Sequence, residues 1–162
     1  ILPLGNSFTL PESGRCLLIG GGVGIAPLLY LSKELNKRGI VPDLLIGVRS
    51  EKDIILKDVF GKFSHLHYTT EDGTYGEKGY PTGHSLLKEH FDHIFCCGPD
   101  PMMKAVARYA YTNNIDCEVS LENMMACGIG ACLCCVTDTT EGHKCVCTEG
   151  PVFNINDLKW QI

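Results

Sequence analysis

The stretch Arg15-Cys16-Leu17-Leu18-Ile19-Gly20-Gly21-Gly22-Val23-Gly24-Ile25-Ala26-Pro27 decides the fold of this 162-residue chain. Arg15 to Gly20 is a short apolar run closed by glycine, as in a buried strand. The glycine-rich turn leads into Ile25–Lys37, where apolar residues recur at helical spacing and Gly39 provides a stop. Pro27 stands near the start of that helix, where a missing N–H leaves no hydrogen bond unmade. Working outward, Asp43–Val48, Leu66–Thr70, His93–Cys97 and Asp116–Leu121 read as further strands. Ile54–Phe60, Ser85–Phe91 and Met102–Asn113 read as the intervening helices, the last with Met103, Val106, Ala107 and Ala110 on one side. Strands alternating with helices predict an α/β domain with a doubly wound, parallel, five-stranded sheet.

Ligands of such sheets bind at the carboxyl ends of the strands, and two motifs fall there. In Gly20–Pro27 the glycines let a pyrophosphate approach the backbone, and the helix N-terminus offers N–H groups and partial positive charge. In Cys96-Cys97-Gly98-Pro99-Asp100-Pro101-Met102-Met103 a sharp turn leaves Cys97 and Gly98 at a strand tip, and Pro101 starts the next helix. Taken singly, the first also fits a plain structural connection and the second a loop with a buried thiol.

The chain has ten cysteines. Cys127, Cys132 and Cys135 stand as C-x4-C-x2-C in a glycine-containing loop, the plant-type spacing for a [2Fe–2S] cluster. Gly128 and Gly130 allow the tight folding that aims several sulfurs inward. A β-hairpin from Val136 to Val146 would place Cys147 beside Cys135 at its open end and supply the fourth thiolate. Zinc is the first rival, although structural zinc sites usually draw on two separated C-x-x-C pairs. Disulfides are the second, disfavoured because nothing resembles a signal peptide and cytosolic thiols stay reduced. Cys134 and Cys145 are alternative ligands by position, whereas Cys16, Cys96 and Cys117 sit in apolar runs as small hydrophobes.

A net charge of −5 without a basic stripe argues against nucleic-acid binding. Hydrophobic content of 44% with 20% charged residues describes a soluble protein, and no apolar run nears the ~20 residues of a membrane span. These features predict a cytoplasmic protein. The first residue is Ile1 rather than Met, which reads as a fragment of a longer chain. His65 and His67 share a strand face without a third metal ligand nearby. No Ser-His-Asp set or carboxylate pair suggests hydrolysis.

The two strand-end motifs together resemble the nicotinamide-binding domain of the ferredoxin–NADP reductase superfamily. Adding Met124–Cys132 and Cys147-Thr148-Glu149-Gly150-Pro151-Val152-Phe153, the chain resembles the electron-transfer subunits of NAD-dependent (class 1B) dihydroorotate dehydrogenases, from Pro3-Leu4-Gly5-Asn6 to about Leu158. The resemblance implies an NAD-binding domain at 1–121 and a small iron–sulfur subdomain at 122–162. It also implies an FAD-binding β-barrel that belongs before residue 1 and is absent from this chain. It further implies an oxidoreductase that passes electrons between a partner subunit's FMN, the cluster, FAD and NAD in pyrimidine biosynthesis, within a heterotetramer. Gly21, Gly22, Gly24, Ile25 and Pro27 are then expected at the pyrophosphate, and Cys97, Gly98, Pro99 and Met102 beside the nicotinamide. Thr70 and Asp72 are expected near the ribose or nicotinamide end, and Glu122 near the flavin. Asn123-Met124 replaces a pair that is commonly more polar in the family. Arg49 and Ser50 lie where a 2′-phosphate would be read, but Glu51 and Asp53 repel one, which favours NAD over NADP. Related flavin/iron–sulfur subunits of ferredoxin- or sulfide-linked oxidoreductases, and a zinc-stabilised nucleotide-binding module, are the competing readings.

Overall fold

The computed structural model describes residues 5–160, so Ile1, Pro3 and Leu4 lie outside it. Four parallel neighbours surround the central strand β1 (Cys16–Gly21): β2 (Asp43–Val48) and β3 (His65–Thr70) on one side, β5 (His93–Cys97) and β6 (Asp116–Ser120) on the other. These are the five expected strands. Two more extend the sheet to seven: the two-residue β4 (Glu77–Lys78), parallel to β3, and β9 (Val152–Asn154), antiparallel to β6. Both are too short to carry a period of their own, and pairing with a preformed edge defines them. Between β6 and β9 lies a two-stranded hairpin, β7 (Val136–Thr139) and β8 (Gly142–Cys145), followed by a one-turn helix, α4 (Val146–Glu149).

Alternation along the strands sorts the side chains into two cores. On one face Cys16, Leu18, Leu44, Ile46, Phe95 and Cys97 pack against Ile25, Leu28, Leu31 and Leu35 of α1 (Ile25–Lys37). On the other, Leu17, Ile19, Ile94, Cys96 and Val119 pack against Met103, Val106, Ala107 and Ala110 of α3 (Asp100–Thr112). Cys16, Cys96 and Cys117 are fully buried, and burial raises the Cys16 thiol to about 11, so these three act as core atoms.

Two expected helices shrink. Ile54–Phe60 is helical only over α2 (Lys57–Phe60), because Leu56 takes a left-handed φ of 55° that interrupts the turn before it. Ser85–Phe91 holds a single 3-10 stretch, Ser85–Lys88, whose first turn is capped by His84 Nδ1 accepting from the Leu86 N–H.

Residues 122–151 leave the sheet after β6 and return at β9, so the chain enters and exits side by side: Ser120 pairs with Val152, and the Leu121 N–H bonds the Pro151 carbonyl. Cys135, Val146 and Cys147 join the core on the α3 face. Asn6 clamps the exit, donating from Nδ2 to the Glu149 and Val152 carbonyls at 3.0 and 2.8 Å and accepting from the Val152 N–H at 2.9 Å. Asn6→Ala removes all three bonds and is expected to cost about 2 kcal/mol in urea unfolding. A change below about 0.5 kcal/mol would show the clamp to be idle.

Candidate functional site

Two turns meet at the carboxyl end of the central strands. The Gly21–Gly24 turn at the end of β1 and the Cys97–Pro99 turn at the end of β5 approach so closely that Gly21, Gly24 and Gly98 have no room for a Cβ. A Cβ on Gly24 would fall 2.4 Å from the Cys97 carbonyl oxygen, and one on Gly21 would fall 2.7 Å from Met102 Sδ. Gly98 has φ +151°, and a Cβ there would meet Met102 Cε at 2.7 Å. Gly22, with φ +56°, has open space beside it. A bare backbone surface thus leads into the N-terminus of the 13-residue α1, a suitable cradle for a pyrophosphate.

A crevice of about 750 Å³ opens over this surface. Gly21 and Gly22 form part of it; Pro99, Pro101 and Met102 at the start of α3 form one wall; Val48, Arg49, Asp53, Ile55 and Glu71 lie beyond the ends of β2 and β3. Val23, Gly47 and Ala105 also line it, and so do Gly79, Tyr80, Pro81 and Thr82, a stretch the sequence reading missed. Pro81 rests on the sheet, since a Cβ on Gly47 would come within 2.5 Å of its Cγ. The unusual Gly-Tyr-Pro between charged and polar residues is the only sequence mark of that wall.

Other expected contacts fall elsewhere. Ile25 is core, and Pro27 lines a separate 220 Å³ pocket with Phe8, Tyr30, Ser120 and Val152. Thr70 is buried and spends its hydroxyl on Tyr75, donating to the carbonyl at 2.8 Å and accepting from the N–H at 3.1 Å. Asp72 holds the same loop by accepting from the Thr74 N–H and hydroxyl at 2.9 and 2.7 Å. Cys97 is buried on the α1 face with its Sγ 3.7 Å from Glu122 Oε1. Burial and that carboxylate push its thiol up to about 12, so it is a neutral group. Asp53 is oriented by the Ser50 N–H and hydroxyl at 3.1 and 3.2 Å. Glu71 lines the crevice where Glu51 had been expected to act.

The cysteine loop lies beyond β6. Gly128 and Gly130 take φ values of +71° and +76°, and Leu133 takes +58°, so the chain coils on itself. Its N–H groups point at sulfur: Ile129 and Cys132 donate to Cys127 Sγ at 3.4 Å each, Cys134 to Cys132 Sγ at 3.5 Å, and Gly130 to Cys147 Sγ at 3.3 Å. Donation from Ile129 and Cys132 draws the Cys127 thiol down to about 6. The hairpin returns Cys147 to Cys135, whose Sγ accepts from the Cys147 N–H at 3.4 Å. The Cys127 thiol interacts with that of Cys132, and the Cys135 thiol with that of Cys147. Two thiol pairs surrounded by N–H donors suit a core of two irons, each taking two thiolates. Cys134 is exposed, and Cys145 turns its Sγ to the Gly130 carbonyl at 3.8 Å.

A family model described as the oxidoreductase NAD-binding domain matches residues 18–108, more than half of the chain. The chain belongs to that family. Residues 122–159 of this NAD-binding family member match a second model, the iron–sulfur cluster binding domain of dihydroorotate dehydrogenase B. Among curated proteins it is 39% identical over 165 residues to the electron transfer subunit of dihydroorotate dehydrogenase B (NAD(+)) of Bacillus pumilus, covering 96% of this chain and 62% of the relative. It is 41% identical over 162 residues to the probable counterpart in Methanocaldococcus jannaschii, covering 98% and 62%. The chain thus spans about 62% of the length of the relatives it matches. Among solved structures, one from work on flavin-based electron bifurcation by an NADH-dependent reduced ferredoxin–NADP oxidoreductase superposes with a TM-score of 0.89 at 31% identity, over 99% of this chain and 59% of that one. A hydrogenase C-terminal domain from Pyrococcus furiosus shares the fold, with a TM-score of 0.57 at 22% identity over 74% of this chain and 100% of that domain. Among the described residues no helix is long and apolar enough to cross a membrane.

Proposed function

We propose that this chain is the NAD-binding and cluster-carrying part of the electron-transfer subunit of a cytoplasmic, NAD-dependent dihydroorotate dehydrogenase. In this reading residues 1–121 bind NAD and 122–162 hold a [2Fe–2S] cluster. Dihydroorotate is oxidised on a separate FMN-containing subunit, and the two subunits form a heterotetramer. The carrying observation is that one chain combines a glycine-lined crevice at the strand ends with a loop and hairpin that gather four thiols. A flavin, when bound, would supply the exchange between two-electron hydride chemistry and the one-electron transfers of a cluster.

The chain's own residues orient these partners. Gly22, Gly24 and the α1 N-terminus receive the pyrophosphate, with Gly21 and Met102 as packing beneath it. Gly98 and Pro99 keep the strand tip flat for the nicotinamide. Cys97 stays neutral and shields that end from water, and Glu122 holds its thiol. Cys127 and Cys132 would hold one iron of the cluster, and Cys135 and Cys147 the other. N–H groups aimed at the sulfurs stabilise negative charge on them and so raise the potential. Asp53 and Glu71 in the crevice repel a 2′-phosphate, which selects NAD. The double variant Asp53→Asn, Glu71→Gln is expected to raise NADPH affinity relative to NADH on the order of tenfold, read by titration of each nucleotide. An unchanged ratio would remove the carboxylates from specificity.

The test of the whole reading is anaerobic purification with the dihydroorotate-binding subunit. Red-brown protein, an EPR signal on reduction, co-elution of the two subunits and dihydroorotate-dependent NAD+ reduction are expected. Colourless protein containing zinc would sink it. The bifurcation-related structure, superposing over 99% of the chain, favours a second reading: a flavin/iron–sulfur subunit of a ferredoxin- or sulfide-linked NAD(P) oxidoreductase. Coloured protein that ignores the dihydroorotate subunit but passes electrons to ferredoxin would select it.

A further inference from the structure

We propose that neutral His84 is the positioning residue of the crevice wall Gly79–Thr82, and that its protonation releases the wall and weakens dinucleotide binding. The inference rests on the reading of the crevice as a dinucleotide site and adds to it the group that holds one side in place.

The wall is the first part of a strap, residues 79–91, that lies on the α3 face of the sheet, where Leu86 and Phe91 join the core. At the near end Pro81 packs on Gly47 of β2. At the far end Glu89 pairs with Arg15 at 2.6 Å, and the Arg15 guanidinium lies 4.4 Å from the centre of the Phe91 ring. His84 fastens the middle, with a side chain only 9% exposed. Its Nδ1 accepts from the Leu86 N–H at 2.9 Å, so the ring proton is on Nε2, which faces Glu77 Oε1 of β4 at 3.5 Å. The ring meets His67 of β3 edge to face, with centroids 5.9 Å apart.

Protonation undoes this arrangement. An imidazolium turns an N–H toward the Leu86 N–H, leaves that amide unpaired and places charge in a buried site beside His67. Glu77 pulls the other way and is held ionised by the Ser85 hydroxyl and N–H, but its side chain is 41% exposed and screened by water. Burial therefore holds His84 below its ordinary 6.5, with Glu77 opposing and His67 assisting. Around this group His67 pairs with Asp43 at 2.9 Å and Lys88 acts on Glu77. Tyr109 of α3, kept neutral by burial, donates its hydroxyl to the Leu87 carbonyl at 2.6 Å. A group with a lower pKa in the closed strap supports closure above pH 6.5 and loses that support as the pH falls below it.

The strap is also poised to lift. A Cβ on Gly47 would meet both Pro81 Cγ at 2.5 Å and Thr69 Oγ1 at 3.4 Å, so the two lie over the same spot. Among the described residues the buried Thr69 hydroxyl has no hydrogen-bond partner, and opening returns it to water.

The experiment measures hydrogen exchange at the Leu86 amide, corrected for its intrinsic rate, and calorimetric NAD+ binding at about pH 7.5 and about pH 5.5. It uses the purified protein and its His84→Asn and His84→Ala variants, each first shown by circular dichroism to be folded. In the parent, Leu86 protection and NAD+ affinity are both expected to fall roughly 3- to 10-fold on acidification. His84→Asn, whose amide oxygen caps the Leu86 N–H without titrating, is expected to hold both within about twofold. His84→Ala, which has no cap, is expected to start low in both and to change less than about twofold. A parent indifferent to pH would overturn the proposal, as would an equal fall in His84→Asn. Falling protection with constant affinity would overturn it while leaving the crevice reading intact. A parent that binds no NAD+ at either pH would overturn both.

Discussion

Cys132→Ser protein, purified without oxygen, is expected to be colourless and EPR-silent after reduction while keeping the far-UV circular dichroism of its parent. Cys132 belongs to the pair with Cys127, receives the Cys134 N–H at 3.5 Å, and lies at the surface of the cysteine loop. Serine keeps the shape but replaces a soft, readily ionised thiol by a hydroxyl that stays protonated at neutral pH and binds iron poorly. One iron then has a single good ligand from the protein, and the core is not retained. The side chain contributes nothing to either apolar cluster, so metal-free variant and metal-free parent should unfold within about 0.5 kcal/mol of each other. Cys134→Ser and Cys145→Ser are the controls and should stay coloured. A coloured Cys132→Ser, or a colourless Cys134→Ser, would reject the ligand set. Cys135→Ser should lose colour too, with added instability, because Cys135 is buried among core residues.

Gly24→Ala is expected to destabilise the fold by about 3 kcal/mol and to weaken NADH at least tenfold. The added methyl would lie 2.4 Å from the Cys97 carbonyl oxygen, 2.5 Å from its carbon and 2.6 Å from the Gly98 nitrogen. All three are backbone atoms at the end of a central strand, so they cannot swing aside as a flexible side chain would. Relief must come from separating the two turns, which spoils the surface that receives the pyrophosphate. Gly22→Ala is the contrast: nothing lies within 4 Å of its added carbon, and only the φ of +56° is unfavourable, a strain of order 1 kcal/mol. Urea unfolding and calorimetric NADH titration of both variants check the pair. Equal effects at the two positions would contradict the close-approach explanation.

The β1-turn-α1 unit was legible because every local signal agreed: apolar run, glycines, proline near the helix start and Gly39 after its end. The helix spans Ile25–Lys37 as read. The cysteine spacing was legible for a similar reason, since a loop that must aim three sulfurs inward leaves little freedom in its spacing. What escaped was set by distant partners. Val152–Asn154 becomes a strand only because β6 offers an open edge, and Gly79–Thr82 becomes a crevice wall only because Pro81 finds Gly47. Thr70 and Asp72 looked free in the sequence but are spent on the turn that carries them, Thr70 on Tyr75 and Asp72 on Thr74. A polar side chain in a loop has two possible customers, its own backbone and a ligand, and spacing does not tell them apart.

The tail beyond the last cysteine has a consequence for chronology. Leu158 bridges to Thr139, the Thr140 N–H bonds the Asp157 carbonyl, and the Lys159 N–H bonds the Asp138 carbonyl, so the final residues brace the hairpin that brings Cys147 to Cys135. All four thiols leave the ribosome before this brace exists. Iron delivered to a nascent chain before Lys159 has emerged would meet sulfurs not yet held in place.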